Sequence, residues 1–352
     1  MSTVSSQRPG VFSSYSVIGT LGGAGASKAA AVVAASETGA KLTVKQLGRL
    51  SDAVAEYGAA QASMLTTLAK ILILNGVSDI YCISVGATPT ASDYESAFAL
   101  LSGLQGVSGV VCDAGTLAVQ QALAGRLMAD AAANKERIGF MGVPADGEPE
   151  AAARAVNCER VCLTAPAVAF EGGSTQSAAY LAAAYCALAL RSEDPAANLN
   201  LSQAEGSYTF PVPYGEDSLT ALLQAGVSVF EQAGEKAELI RALTTKTSEN
   251  GLQGNSFREL STVRIIDDVI PGIRTLLKAQ LRGAKNTASA RDAIRTQVAC
   301  ELSRKCFLGI IDSFEPPVIT VKENEPTVCV VEVAFAVVYG LHRIDIVAHV
   351  TV

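Results

Sequence analysis

Between residues 80 and 191 the chain alternates two kinds of pattern. Short runs that are apolar throughout, "IYCISVG" (80–86), "GVVCD" (109–113), "RIGFMGVP" (137–144) and "RVCLTAP" (160–166), read as strands. Between them lie runs with apolar residues at helical spacing, at 91–104, 115–134, 148–156 and 177–191. Strands without a polar face, alternating with helices, predict a mostly parallel sheet covered on both sides. Upstream, 43–75 reads as helical, with Leu65, Leu68, Ile71, Leu72 and Leu74 crowding one side and Asn75-Gly76 as the stop. Residues 195–216, rich in Pro, Gly and polar side chains, read as a linker or insertion loop before regular structure resumes.

The last third follows another pattern. Two helices are predicted at about 265–282 and 288–309, then two long strands, 327–340 and 342–352. In the final strand Ile344, Ile346, Ala348, Val350 and Val352 share one face. At the other end, residues 1–14 are polar and broken by Pro9-Gly10, which reads as an extended arm leading into a strand "VFSSYSVIG" with Tyr15 and Val17 on one face. The reading is therefore an α/β core over 15–240 with a mostly parallel sheet flanked by helices, an α+β C-terminal domain over 241–340, and arms at 1–14 and 341–352. Fourteen extended residues reach roughly 45 Å at about 3.3 Å each, enough to touch a neighbouring subunit.

An arm of this kind has to gain more than it loses on ordering. Five ladder hydrogen bonds contribute on the order of 5 kcal/mol, and fixing five residues costs about 1–2 kcal/mol each. Alternate apolar side chains, at roughly 1.5–3 kcal/mol apiece, then decide the outcome. Val11, Phe12 and Tyr15 at one end and Ile344, Ile346, Val350 and Val352 at the other are the candidate intersubunit contacts. Pairing within one subunit satisfies the same pattern.

Composition narrows the class. Of 352 residues 49% are hydrophobic and 17% charged, which excludes a disordered chain. The longest apolar run, 178–190, is too short to cross a bilayer and reads as a buried helix. No basic start followed by an apolar stretch marks the N-terminus, so synthesis in the cell interior is expected. Eight cysteines form no C-x-x-C and sit mostly in apolar runs, as reduced core thiols would. The net charge of −7 is uneven: Arg258 to Lys305 carries +5, leaving −12 for the rest. Arg274, Lys278 and Arg282 recur every four residues as a basic stripe. No aromatic interleaves with them and the protein is acidic, so the stripe suits a protein surface better than nucleic acid.

Candidate chemistry is thin. "SVIGTLGGAG" places Gly19, Gly23 and Gly25 in the G-x-x-x-G-x-G spacing of a nicotinamide-dependent, Rossmann-like oxidoreductase, the alternative reading. That chemistry also needs Tyr-x-x-x-Lys, and none of the nine tyrosines has Lys four residues on. P-loop, G-x-S-x-G and H-E-x-x-H motifs are absent. His342 and His349, seven apart on a strand, face opposite ways and cannot share a metal. Asp267-Asp268 diverge on a helix and read as a solvated face or cap. Arg241 and Asp113, at element ends, read as local hydrogen-bonding residues. No catalytic, cofactor or metal site is expected.

The chain resembles the tail sheath proteins of contractile phage tails and related injection machines over nearly its whole length. The resemblance starts with the "RPGVF" arm and continues through "AVAEYGA" and "LAKILILNGVSDIYCISVG". Its most specific part runs from "FRELSTVRIIDDVIPGIRTLLKAQLRGAKN" through Arg291 and a second helix to "FLGIIDSF". "RALTT" around Arg241 only approximates the family's central Arg-x-x-Thr, and large surface insertions are lacking. The resemblance implies a structural, non-enzymatic subunit that stacks as rings around an inner tube and exchanges terminal strands with neighbours. It would contract to drive the tube through a target envelope. Its partners would be copies of itself, the inner tube protein, and baseplate and terminator or cap proteins, without nucleic acid or membrane insertion. It would be made and assembled in the bacterial cytoplasm and end in a virion tail or tail-like particle. The C-terminal domain would lie nearest the tube, with Arg274, Lys278, Arg282 and Lys285 as candidate tube contacts.

Overall fold

The computed structural model describes residues 29–249, 252–254, 257–281 and 284–342. Both arms lie mostly outside these residues: Val11, Phe12, Tyr15, Ile344, Ile346, Val350 and Val352 are not among them, nor are Arg282 and the three motif glycines.

The first described element is β1 (Ala29–Ala34), followed by β2 (Val44–Leu47), α1 (Leu50–Tyr57), α2 (Met64–Leu74) and β3 (Ile80–Ser84). Then come α3 (Ala91–Leu101), β4 (Val107–Cys112), α4 (Leu117–Ala132), β5 (Ile138–Gly142), α5 (Pro149–Val156) and β6 (Val161–Ala165). The chain continues through β7 (Val168–Phe170), β8 (Gln176–Ser177), α6 (Ala179–Arg191), β9 (Ser202–Ala204), β10 (Tyr208–Thr209), α7 (Glu216–Gln224), β11 (Val227–Ala233) and β12 (Lys236–Leu239). After β13 (Ser248–Glu249) and β14 (Leu252–Gln253) come the long helices α8 (Leu260–Gln280) and α9 (Ala288–Phe307). Four short strands follow: β15 (Ile311–Phe314), β16 (Val318–Val321), β17 (Cys329–Glu332) and β18 (Phe335–Val337).

Among the described residues nine strands form one sheet in the order β2-β3-β1-β4-β5-β6-β11-β12-β9. β3, β1, β4, β5, β6 and β11 are mutually parallel, and β2 and the β12–β9 pair close the two margins antiparallel. The apolar runs are apolar throughout because both faces are covered. Along β1, Ala30, Val32 and Ala34 enter one core with α2 and α6, and Ala31 and Val33 enter the other with α3 and α4. The Ala-rich run 178–190 is the buried helix expected, with every residue from Ala179 to Leu190 inside. Its close seat needs a bare backbone in β4, since a Cβ on Gly109 would stand 2.5 Å from Cys186 Sγ.

Three expectations are corrected. Residues 43–75 are not one helical stretch: "VKQL" pairs antiparallel with β3, and Gly58, at φ 85°, ends α1 before Ser63 caps α2. The run 195–216 is no bare linker, since β9 forms a margin of the large sheet and β10 pairs with β7. The strand expected at 327–340 breaks at residues 333–334 into β17 and β18, which join different partners. Those partners, β15 and β16, are too short for their alternation to stand out in sequence.

A third core joins Ile265, Val269, Ile273 and Leu277 of α8 with Val298 and Leu302 of α9 and with Ile311, Phe335 and Val337. The first turns of α8 also send Leu260, Val263 and Ile266 into the main core. α8 thus has two apolar faces at its start and bridges both regions.

Candidate functional site at the junction of core and C-terminal helices

Two places could hold function: the C-terminal ends of the parallel strands, where an enzyme of this architecture would keep its ligand, and the junction along α8.

β1 is flanked by β3 and β4, so the strand order reverses there, and in open parallel sheets ligands bind outside such a point. Here the protein's own groups fill it. The Asp113 carboxylate, just past β4, accepts the Ala35 N–H (2.9 Å) and the Tyr94 hydroxyl (2.7 Å). Burial pushes its pKa up, against the lowering pull of those donors. These partners lie 78 and 19 residues away, so the expected local role of Asp113 is corrected to a long-range one. The stretch after the glycine motif is also wrong for a dinucleotide site. Ala29–Ala34 is a buried strand, whereas the pyrophosphate turn must open into a helix N-terminus.

Along α8 every charged side chain from Arg264 to Arg274 is engaged. Arg264 is buried and donates to the carbonyls of Ser192 (3.0 Å) and Asp194 (2.9 Å), and burial lowers its pKa to about 10. Asp267 takes a bidentate pair from Arg160 (2.9 and 2.8 Å), whose side chain, on the loop before β6, is fully enclosed. Burial raises the Asp267 pKa despite that guanidinium. Asp268 turns the other way to Lys305 of α9, which is also buried. Two turns further, Arg274 is paired to Glu136 at 2.7 Å, between α4 and β5. Thus Asp267-Asp268 do diverge, but neither is solvated: one fastens α8 to the core sheet and the other to α9. The same geometry withdraws Arg274 from a free basic stripe, because its charge is spent on Glu136 with the side chain only 13% exposed. Lys278 and Lys285 do face solvent.

The segment leading into α8 is equally tied. Arg241 pairs with Glu259, not with local backbone. Thr244 Oγ1 donates to the Phe257 carbonyl (2.6 Å), and Thr245 Oγ1 donates to Cys158 O (2.9 Å) while accepting the Cys158 N–H (3.0 Å). "RALTT" is therefore the seam that carries the chain from the core into α8. Its partners are up to 87 residues distant, beyond the reach of local sequence pattern.

Beyond this junction the described residues of the C-terminal region form two separate two-stranded sheets, β15–β18 and β16–β17. Such pairs are marginal by themselves and gain from added strands. Val318 and Val321 on β16 are 50% and 40% exposed, and Phe307 at the end of α9 is 91% exposed. An open groove of about 510 Å³ between α8 and α9 is lined by Leu276, Ala279, Thr296 and Cys300. Among the described residues no cluster of His, Cys, Asp or Glu could hold a metal, and no helix is long and apolar enough to cross a membrane.

This arrangement is the fold of contractile-tail sheath proteins. A chain of the anti-feeding prophage baseplate superposes with a TM-score of 0.72 at 14% identity, covering 99% of this chain and 100% of that one. The anti-feeding prophage helical sheath in its contracted state gives 0.71 at 13%, covering 98% and 99%. The sheath tail protein of Desulfitobacterium hafniense gives 0.68 at 10%, covering 94% and 100%. Residues 253–351 match the phage tail sheath C-terminal domain family, so the resemblance drawn from "FRELSTVRIIDDVIPGIRTLLKAQLRGAKN" is met by both fold and sequence. No curated protein matches the sequence.

Proposed function

We propose that this chain is a structural subunit of a contractile tail sheath. It polymerises with copies of itself into stacked rings around an inner tube, meets a baseplate at one end and a terminator or cap at the other, and has no active site. Terminal segments of neighbouring copies complete the short C-terminal sheets, and contraction turns each subunit while those strands keep the polymer connected. It is made in the bacterial cytoplasm and works in a virion tail or tail-like particle.

The observation that carries this reading is a tightly tied junction beside C-terminal sheets that, among the described residues, are two short strands each. Three ion pairs and two apolar faces of α8 hold it to the core, a fourth pair holds it to α9, and among the described residues β15–β18 and β16–β17 are pairings of two short strands. A body that must rotate as one piece and stay linked through added strands needs both features. In this reading the outer side of the α8–α9 hairpin meets the tube. Lys278, Lys285 and Arg282 supply positive charge, and the groove beside Leu276 and Cys300 supplies apolar surface. Arg274 is left to hold Glu136. Expression with a tube protein, followed by sedimentation and negative-stain microscopy, tests the reading: cylinders support it, and a small discrete oligomer counts against it.

A further inference from the structure

After β18, the last described residues, Gly340 to His342, come against the core. The Asn198 side chain, between α6 and β9, donates from Nδ2 to the Leu341 carbonyl at 2.8 Å. Its Oδ1 accepts the Asn200 N–H at 3.0 Å, which fixes which way the amide points. Asn200 is oriented in the same manner. Its Oδ1 accepts the Ala242 N–H (2.9 Å), so its Nδ2 is the atom 3.0 Å from His342 Nδ1. An amide nitrogen only donates, so Nδ1 accepts and the ring proton sits on Nε2, which lies 3.7 Å from the Glu259 carboxylate paired with Arg241. The backbone comes close enough that a Cβ on Gly340 would stand 3.0–3.1 Å from Asn198 atoms.

We infer that Asn198, Asn200 and the Glu259–Arg241 pair form a clasp that makes the core, rather than the C-terminal hairpins, the point of attachment for the segment beyond His342. The two asparagines are positioning residues. Pull that reaches Leu341 and His342 is delivered to the loop before β9 and to the start of α8 rather than through β18 to the C-terminal sheets. Only this load-carrying role rests on the sheath reading; the clasp itself is a property of the single subunit.

The sequence places Arg343, a trypsin site, one residue beyond His342. Cleavage after it requires the flanking backbone to leave the clasp. Asn198→Asp keeps the acceptor for Asn200 and loses the donor to Leu341, and His342→Ala removes the ring without touching the core. Each variant of the full chain should be cut after Arg343 at least fivefold faster than the parent, with rates normalised to a matching free peptide and the thermal midpoint unchanged. Equal normalised rates in both variants overturn the clasp, as does a parent cut as fast as the free peptide. In assembled cylinders the variants should break at lower urea concentration. Faster cutting with equally robust cylinders overturns the load-carrying role, and failure of the parent to form cylinders overturns the sheath reading while the cleavage comparison still decides the clasp.

Discussion

Arg160 and Asp267 give the sharpest test of the junction. Asp267→Asn removes the carboxylate that balances a guanidinium with no solvent exposure, while changing the volume of the site very little. Two charge-assisted hydrogen bonds, at 2.8 and 2.9 Å, are weakened or lost. Breaking one side of a buried pair costs about 3–5 kcal/mol. The Asp267 side chain keeps 17% exposure, which lets water soften the loss, so we expect about 3 kcal/mol. With a urea slope of roughly 3 kcal/mol/M, the unfolding midpoint should fall by about 1 M. The chain has no Trp, so circular dichroism is the suitable probe. Arg154, exposed and paired with Glu150, supplies the control: Glu150→Gln should cost less than about 0.5 kcal/mol. Replacing both buried partners, as Arg160→Met with Asp267→Leu, should recover most of the loss because no uncompensated charge remains. A cost below about 1 kcal/mol for Asp267→Asn, or a double variant no better than the single, would refute the view that this pair fastens α8 to the core.

Three further outcomes follow from the structure. Asp113 has a pKa raised by burial, so the folded state holds its proton more tightly than the unfolded chain, and stability from this group falls as pH rises out of the ordinary carboxylate range. Urea unfolding at pH 4 and pH 7.5 should therefore show Asp113→Asn gaining on the parent at the higher pH; a pH-independent difference would count against it. Cys82, Cys112, Cys158, Cys162 and Cys186 are buried with thiol pKa values pushed up by burial, whereas Cys300 is exposed. A thiol reagent should label Cys300 first and leave those five untouched until denaturant is added, as peptide mass spectrometry would reveal. Reversing Lys278 and Lys285 to Glu should reduce co-sedimentation with tube while leaving the thermal midpoint within about 2 °C, since both side chains are exposed. Unchanged tube binding would remove them from the contact.

The parts of the fold legible in sequence were those where one physical demand dominates. Strands buried on both faces must be apolar throughout, and β3, β4, β5 and β6 were found for that reason. β2 was lost because "VKQL" at a sheet margin needs only one buried side chain, Leu47, and so lacks a strand's signature. The 327–340 run looked continuous because a change of sheet partner leaves no mark on alternation. Asp267 and Asp268 were misread for a related reason. Sequence shows that adjacent carboxylates diverge on a helix, but not that both sides of α8 are covered, by Arg160 from 107 residues away and Lys305 from 37. Arg274 likewise looked like a surface charge until Glu136, 138 residues distant, proved to be its partner.

The central claim is that copies of this chain link through their terminal segments into a contractile cylinder. The most direct measurement is negative-stain microscopy of the full chain and of a form lacking residues 1–14 and 341–352, each expressed with tube protein. The account predicts long striated cylinders for the full chain and only unassembled subunits for the shortened one. Full-length cylinders from the shortened form would contradict it.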